Sequence, residues 1–149
     1  MNDVKNAKTI NVLLVEDDPE DVDLTMEVMD NSKLKINIDV VEDGVKALEY
    51  LHKDNDYSNA PRPDIILLDL NMPRKDGREV LMEIKDDEKL KSIPVVILTT
   101  SDADEDIARS YTSGASCYIT KPVGLNEFKK VVKSLEEFWF TIVKFPINE

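Results

Sequence analysis

Four apolar runs in this chain each end in residues that can do chemistry. Glu16, Asp17 and Asp18 follow Ile10 to Val15, and Asp69 closes Ile65-Ile66-Leu67-Leu68. Thr99, Thr100 and Ser101 follow Val95-Val96-Ile97-Leu98, and Lys121 comes just after the short run Cys117 to Ile119, beyond Thr120. Carboxylates gathered in one place repel each other unless a hard divalent cation sits among them, and oxygen-only ligands favour magnesium over zinc or copper. A lysine and a hydroxyl facing the same acids suit a tetrahedral oxyanion, the ammonium balancing its charge and the hydroxyl donating to it. A carboxylate nucleophile, a metal, a cation and a hydroxyl are the parts that phosphoryl transfer requires. Each residue also has an ordinary use. Asp69 can be a turn acid, Glu16 to Asp18 a solvated capping run in a chain with 31 acids, Thr99 a strand-ending β-former and Lys121 a surface lysine.

Whether these residues meet depends on the elements that carry them. Ile10 to Val15 reads as a strand. Asp18-Pro19-Glu20-Asp21 then starts a helix, with an N-cap acid, proline at the first helical position and acids in the first turn. Val22, Met26 and Met29 are spaced as its apolar face. Ile36, Ile38 and Val40 alternate with polar residues, which predicts a half-exposed edge strand ending near Val41. Gly44 opens a helix carrying Val45, Leu48 and Leu51, and residues 53–63 form a long polar loop. The unbroken aliphatic run before Asp69 predicts a strand buried on both faces.

Val80, Leu81 and Ile84 mark a third helix after Gly77, and Pro94 introduces the fourth strand. A weakly amphipathic helix around Ile107, Ala108 and Tyr111 follows, then a short strand from Cys117 to Ile119. Leu125, Phe128, Val131, Val132, Leu135 and Phe138 give the last helix an apolar stripe. Five strands alternating with five helices predict a parallel sheet covered by helices on both faces. In such a sheet every strand-to-helix loop lies on one edge, where open α/β folds place their chemistry. The four groups of residues therefore converge.

Bulk properties bound the reading. At 149 residues the chain has the size of one domain. The expected organisation is a disordered stretch over 1–9, a folded domain over 10–138 and an aromatic extension over 139–149. A net charge of −12 argues against nucleic-acid binding, since a phosphate backbone would be repelled. No apolar run is long enough to span a bilayer, the N-terminus lacks the apolar core of a signal peptide, and one cysteine makes no internal disulfide. A cytoplasmic protein is expected. His52 and Cys117 lack partner motifs and are assigned no role.

The chain resembles the receiver domains of two-component response regulators over about residues 8 to 138. The resemblance rests on Leu13-Leu14-Val15-Glu16-Asp17-Asp18, on Leu67-Leu68-Asp69-Leu70-Asn71-Met72-Pro73 with Asp76-Gly77, on Pro94 to Thr99, and on Gly114 to Pro122. It implies a flavodoxin-like (βα)5 sandwich with strand order 2-1-3-4-5. It further implies that Asp69 accepts a phosphoryl group from a histidine kinase. Asp17 would be the direct carboxylate ligand to Mg2+, Glu16 would act mainly through bound water, Asn71 would supply its backbone carbonyl, and Asp69 would complete the metal set. Thr99 and Lys121 would bind the phosphoryl oxygens, and Thr99 and Tyr118 would form the conformational switch. Asn71 and Ser101 occupy the positions that tune dephosphorylation. Thr100 departs from the commonest pattern, in which a smaller residue widens access to the phosphoryl group.

Arg78-Glu79-Val80-Leu81, the loop over 53–63 and Phe138-Trp139-Phe140 resemble the single-domain regulators paired with bacterial phytochromes. A phytochrome-type kinase partner and a homodimer are the corresponding expectations. With the chain ending soon after Phe138, output through another protein or through self-association is expected. The tail concentrates Phe138, Trp139, Phe140 and Phe145, which either cover the domain's own core or form a dimer contact. Two other functions use parts of the same set. A haloacid-dehalogenase-type phosphohydrolase also uses aspartate, magnesium, threonine and lysine, but would carry an acid where Asn71 stands. A degenerate receiver would be a phosphate-independent binding module. Neither metabolic turnover nor enzyme activity beyond self-phosphorylation is expected.

Overall fold

The structure is a computed structural model, describing residues 9–30, 35–70, 76–99 and 117–120 with isolated helical positions at 130, 133, 134 and 137. Five strands form one sheet: β1 (Ile10–Val15), β2 (Ile36–Val41), β3 (Ile65–Asp69), β4 (Val95–Thr99) and β5 (Cys117–Thr120). Their order is β2-β1-β3-β4-β5 and every pairing is parallel, as expected. Among the described residues the helices are α1 (Pro19–Asp30), α2 (Gly44–His52) and α3 (Gly77–Asp86).

Side-chain alternation along the strands sorts the core into two layers. Leu13, Val15, Ile66, Leu68 and Ile97 pack with Ala47, Tyr50 and Leu51 of α2 and with Val80, Leu81 and Ile84 of α3. Val12, Leu14, Ile65, Leu67 and Leu98 form the other layer, with Met29, Val22 and Leu24 of α1. Helices therefore cover both faces, and β3 is buried throughout because apolar side chains meet it from both sides. The edge strand β2 is only half buried, with Val40 exposed.

Caps set where the helices begin. Asp18 accepts from the Glu20 N–H at 2.9 Å ahead of Pro19, Asp43 from Lys46 at 2.9 Å, and Asp76 from Arg78 at 2.7 Å. Each satisfies a backbone donor that the first helical turn leaves without an intrahelical partner. At the opposite edge of the sheet, Asp64 ties β3 to β1: its N–H donates to the Asn11 carbonyl and its carboxylate accepts from the Asn11 N–H.

One local expectation is corrected. Met26 is 37% exposed, so the buried stripe of α1 runs through Met29 and Thr25 instead. The Thr25 hydroxyl donates to the Asp21 carbonyl at 2.8 Å, which lets a polar residue occupy a buried helical position. The 53–63 loop is fastened to the domain. It contains a 3-10 turn at Asn55–Tyr57, and the Tyr57 ring packs on Tyr50 with centroids 5.5 Å apart. Arg62 donates to the Lys89 carbonyl and, at 3.0 Å, to Ser92 Oγ.

Candidate functional site at the carboxyl edge of the sheet

The sheet register brings the acids together. Val15 pairs with Leu68, so Glu16 and Asp69, each one residue further on, stand level on neighbouring strands. Asp69 in turn pairs with Leu98. Thr99 follows and pairs with Thr120, the residue before Lys121. Strand order thus places the ends of β1, β3, β4 and β5 side by side along one edge.

The carboxylates of Glu16, Asp17 and Asp69 each offer an oxygen, and all three oxygens lie within 4.8 Å of one another. Glu16 and Asp69 are 1% and 2% exposed, whereas Asp17 faces solvent. Glu16 is held by its backbone, whose N–H donates to the Val41 carbonyl at 3.0 Å. Its side chain also accepts from the Asp18 N–H at 3.2 Å. Two buried carboxylates lie beside a third acid, and a buried carboxylate is costly to ionise unless it is paired, hydrogen-bonded or bound to a cation. The donors are all oxygens, so the set fits a hard divalent ion rather than a thiophilic one.

Backbone contacts fix Asp69 from the other side. The Leu70 N–H donates to the Leu98 carbonyl at 3.0 Å, and the Gly77 N–H donates to the Leu70 carbonyl at 3.1 Å. A Cβ on Gly77 would lie 2.5 Å from the Asp69 carbonyl oxygen and 2.7 Å from Leu70 Cα, closer than real Cβ contacts allow. In the sequence Gly77 marks the start of a helix and, with Asp76, belongs to the receiver-like motif. The signal available was the Asp76-Gly77 pair, but contact with Asp69 is a tertiary fact.

Of the expected site residues, the structure joins Glu16, Asp17 and Asp69. Thr99 and Tyr118 are located in β4 and β5 by their backbones. Asn71, Ser101, Lys121, Phe138, Trp139, Phe140 and Phe145 lie outside the described residues, as does the helix expected around Ile107. His52, given no role, ends α2 with Nδ1 3.8 Å from the Asp87 carboxylate, far from the acids.

A doubly wound parallel α/β domain with three carboxylates gathered on its carboxyl edge, where they could hold a cation, is the class that the fold and site define. The chain belongs to the response regulator receiver domain family, whose model matches residues 12–133. It is 44% identical to response regulator Rcp1 of Synechocystis sp. over 98% of this chain and 99% of that one. It is 38% identical to the probable methanogenesis regulatory protein FilR2 of Methanothrix harundinacea over 86% of this chain and 82% of that one.

Among solved structures, the phosphorylated cyanobacterial phytochrome response regulator RcpA superposes with a TM-score of 0.81 at 46% identity. It covers 94% of this chain and 100% of its own. The Mn2+-bound form of Rcp1 gives a TM-score of 0.79 at 44% identity, covering 93% and 99% respectively. The protein is a response regulator receiver of two-component signalling, homologous to Rcp1 and to the phytochrome response regulator RcpA. Membership of this family sets aside the haloacid-dehalogenase reading.

Proposed function

We propose that Asp69 accepts a phosphoryl group from the phosphohistidine of a sensor kinase. The observation that carries this reading is the meeting of Glu16, Asp17 and Asp69 within 4.8 Å, with Asp69 buried at the end of β3. An Asp69 carboxylate oxygen attacks phosphorus, the phosphorus–nitrogen bond to the histidine breaks, and the departing imidazole takes up a proton from solvent. The product is an aspartyl phosphate.

A bound magnesium ion supplies charge neutralisation for the phosphoryl oxygens. Asp17 and Asp69 would hold it directly, Glu16 mainly through bound water and Asn71 through its carbonyl. The Mn2+-bound form of Rcp1 supports a divalent ion in this chain too, and Glu16, Asp17 and Asp69 are the acids placed to hold it. Thr99 and Lys121 serve the phosphoryl oxygens in this reading, as the resemblance to the family implies. Asn71 and Ser101 set how quickly water removes the group. Phosphorylation then biases a two-state surface through Thr99 and Tyr118. The protein accepts and loses its own phosphoryl group and turns over no metabolite.

The phytochrome regulators among its relatives support a phytochrome-type histidine kinase as donor. The aromatic tail at Phe138, Trp139, Phe140 and Phe145 is assigned to a homodimer contact on its composition. A cytoplasmic location and a protein target downstream accompany the reading.

Intact-protein mass after incubation with acetyl phosphate tests it, with and without Mg2+, beside Asp69→Ala. A gain of one phosphoryl group that needs Mg2+ and Asp69 is expected. Unchanged mass with both acetyl phosphate and a purified kinase would leave a phosphate-independent binding module.

A further inference from the structure

We propose that a cleft on the amino edge of the sheet, remote from Asp69, binds a small organic anion. It lies where α2 ends, where β3 begins and where the chain leaves α3, and its volume is about 350 Å³. That is the lower end of the range for small-molecule sites. The length of β3, roughly 17 Å for five residues, separates it from the acid cluster.

The cleft concentrates positive charge in a chain whose net charge is −12. Lys53, Arg62 and Lys89 line it, together with His52. Its acid is Asp87, already engaged: its carboxylate accepts from the Lys89 N–H at 2.8 Å and lies 3.8 Å from His52 Nδ1. Among the described residues Lys53, Arg62 and Lys89 form no ion pair.

Arg62 is held in place, because its two terminal nitrogens donate to the Lys89 carbonyl and Ser92 Oγ. Lys53 is fixed by its backbone, which adopts φ 60° to close α2 and donates to the Tyr50 carbonyl at 3.2 Å. A guanidinium and a lysine backbone already ordered lose less entropy on binding than free side chains would. Leu51, Pro63 and Leu90 provide an apolar wall beside these cations. The chemistry that fits is a carboxylate or phosphate head attached to an apolar body, with the head on the cations and the body on the wall.

Titration of the metal-free protein with phenyl phosphate, followed by amide NMR shifts, tests the assignment, with inorganic phosphate and phenol as comparison probes. Saturable shifts centred on Lys53, Arg62 and Lys89 are expected. Phenyl phosphate should bind at least tenfold more tightly than either comparison probe, since each lacks one of the two contacts. Charge reversal at two exposed positions, K53E with K89E, should weaken it at least tenfold while amides elsewhere keep their positions. Absence of saturation would overturn the proposal. So would shifts confined to the Asp69 edge, or equal affinity in the double variant.

Discussion

Gly77 lies against the backbone of Asp69 so closely that no other residue fits without displacing it. A Cβ there would meet the Asp69 carbonyl oxygen at 2.5 Å and its carbonyl carbon at 3.2 Å. The neighbours are backbone atoms of a strand paired to β1 and β4, so they cannot rotate aside as a side-chain tip could. Glycine at the first residue of α3 therefore lets the helix begin directly against the strand end that carries Asp69.

Gly77→Ala should consequently damage position as well as stability. Overpacking of this kind costs about 1–3 kcal/mol, measurable by urea unfolding. Misplacement of the acceptor should slow phosphorylation by acetyl phosphate roughly tenfold to a hundredfold. Wild-type kinetics in a folded Gly77→Ala protein would show that the contact does not position Asp69.

Divalent ions should stabilise the protein through the acid trio. An ion at a hundred times its dissociation constant adds about 2.7 kcal/mol to the unfolding free energy. Thermal unfolding with Mg2+ or Mn2+ against a chelator should show this, and Asp17→Asn should remove most of it. An equal rise in Asp17→Asn would place the ion elsewhere.

Tyr50 makes alkaline pH destabilising. Burial, then the 2.5 Å hydrogen bond that its hydroxyl donates to Asp39, hold the phenol well above its ordinary value of about 10. The folded protein keeps Tyr50 neutral where the unfolded chain ionises it. The contribution is complete below about pH 10 and falls as pH rises from there toward the raised folded value. Unfolding curves from pH 8 to 11 should decline at the alkaline end, and Tyr50→Phe should decline less over the same interval. Parallel curves for the two proteins would contradict this account.

Asp43 caps α2 and is itself buried, with its carboxylate 2.9 Å from the Lys46 nitrogen. Asp43→Ala should destabilise by about 0.5–2 kcal/mol. Chemical denaturation would detect that loss, whereas a change within error would mean that the turn at Glu42 holds α2 without the cap.

Much of this was legible in the residue types. The run Ile65 to Leu68 announced a strand buried on both faces, and Ile36, Ile38 and Val40 announced an edge. Asp18 before Pro19 marked a helix start, because capping and proline geometry act over a few neighbouring residues. Less legible were Met26, whose helical spacing matched a buried face, and the 53–63 segment, whose polarity concealed Tyr57 on Tyr50. In both places the outcome depended on which distant surface was available to cover the side chain.

The site divides along the same line. Its acids could be picked out from the chain because each follows an apolar run, and alternation of strands and helices required them to share an edge. That Glu16 stands level with Asp69 was decided by the pairing of Val15 with Leu68, a register between segments far apart in sequence. The same holds for Gly77, whose need to be glycine comes from the approach of Leu70 and Asp69. Local order follows from local preference, so the sequence by itself determined the elements and the kinds of residues they present. Distances between carboxylates depend on how strands align and helices pack, and only the tertiary structure decided those.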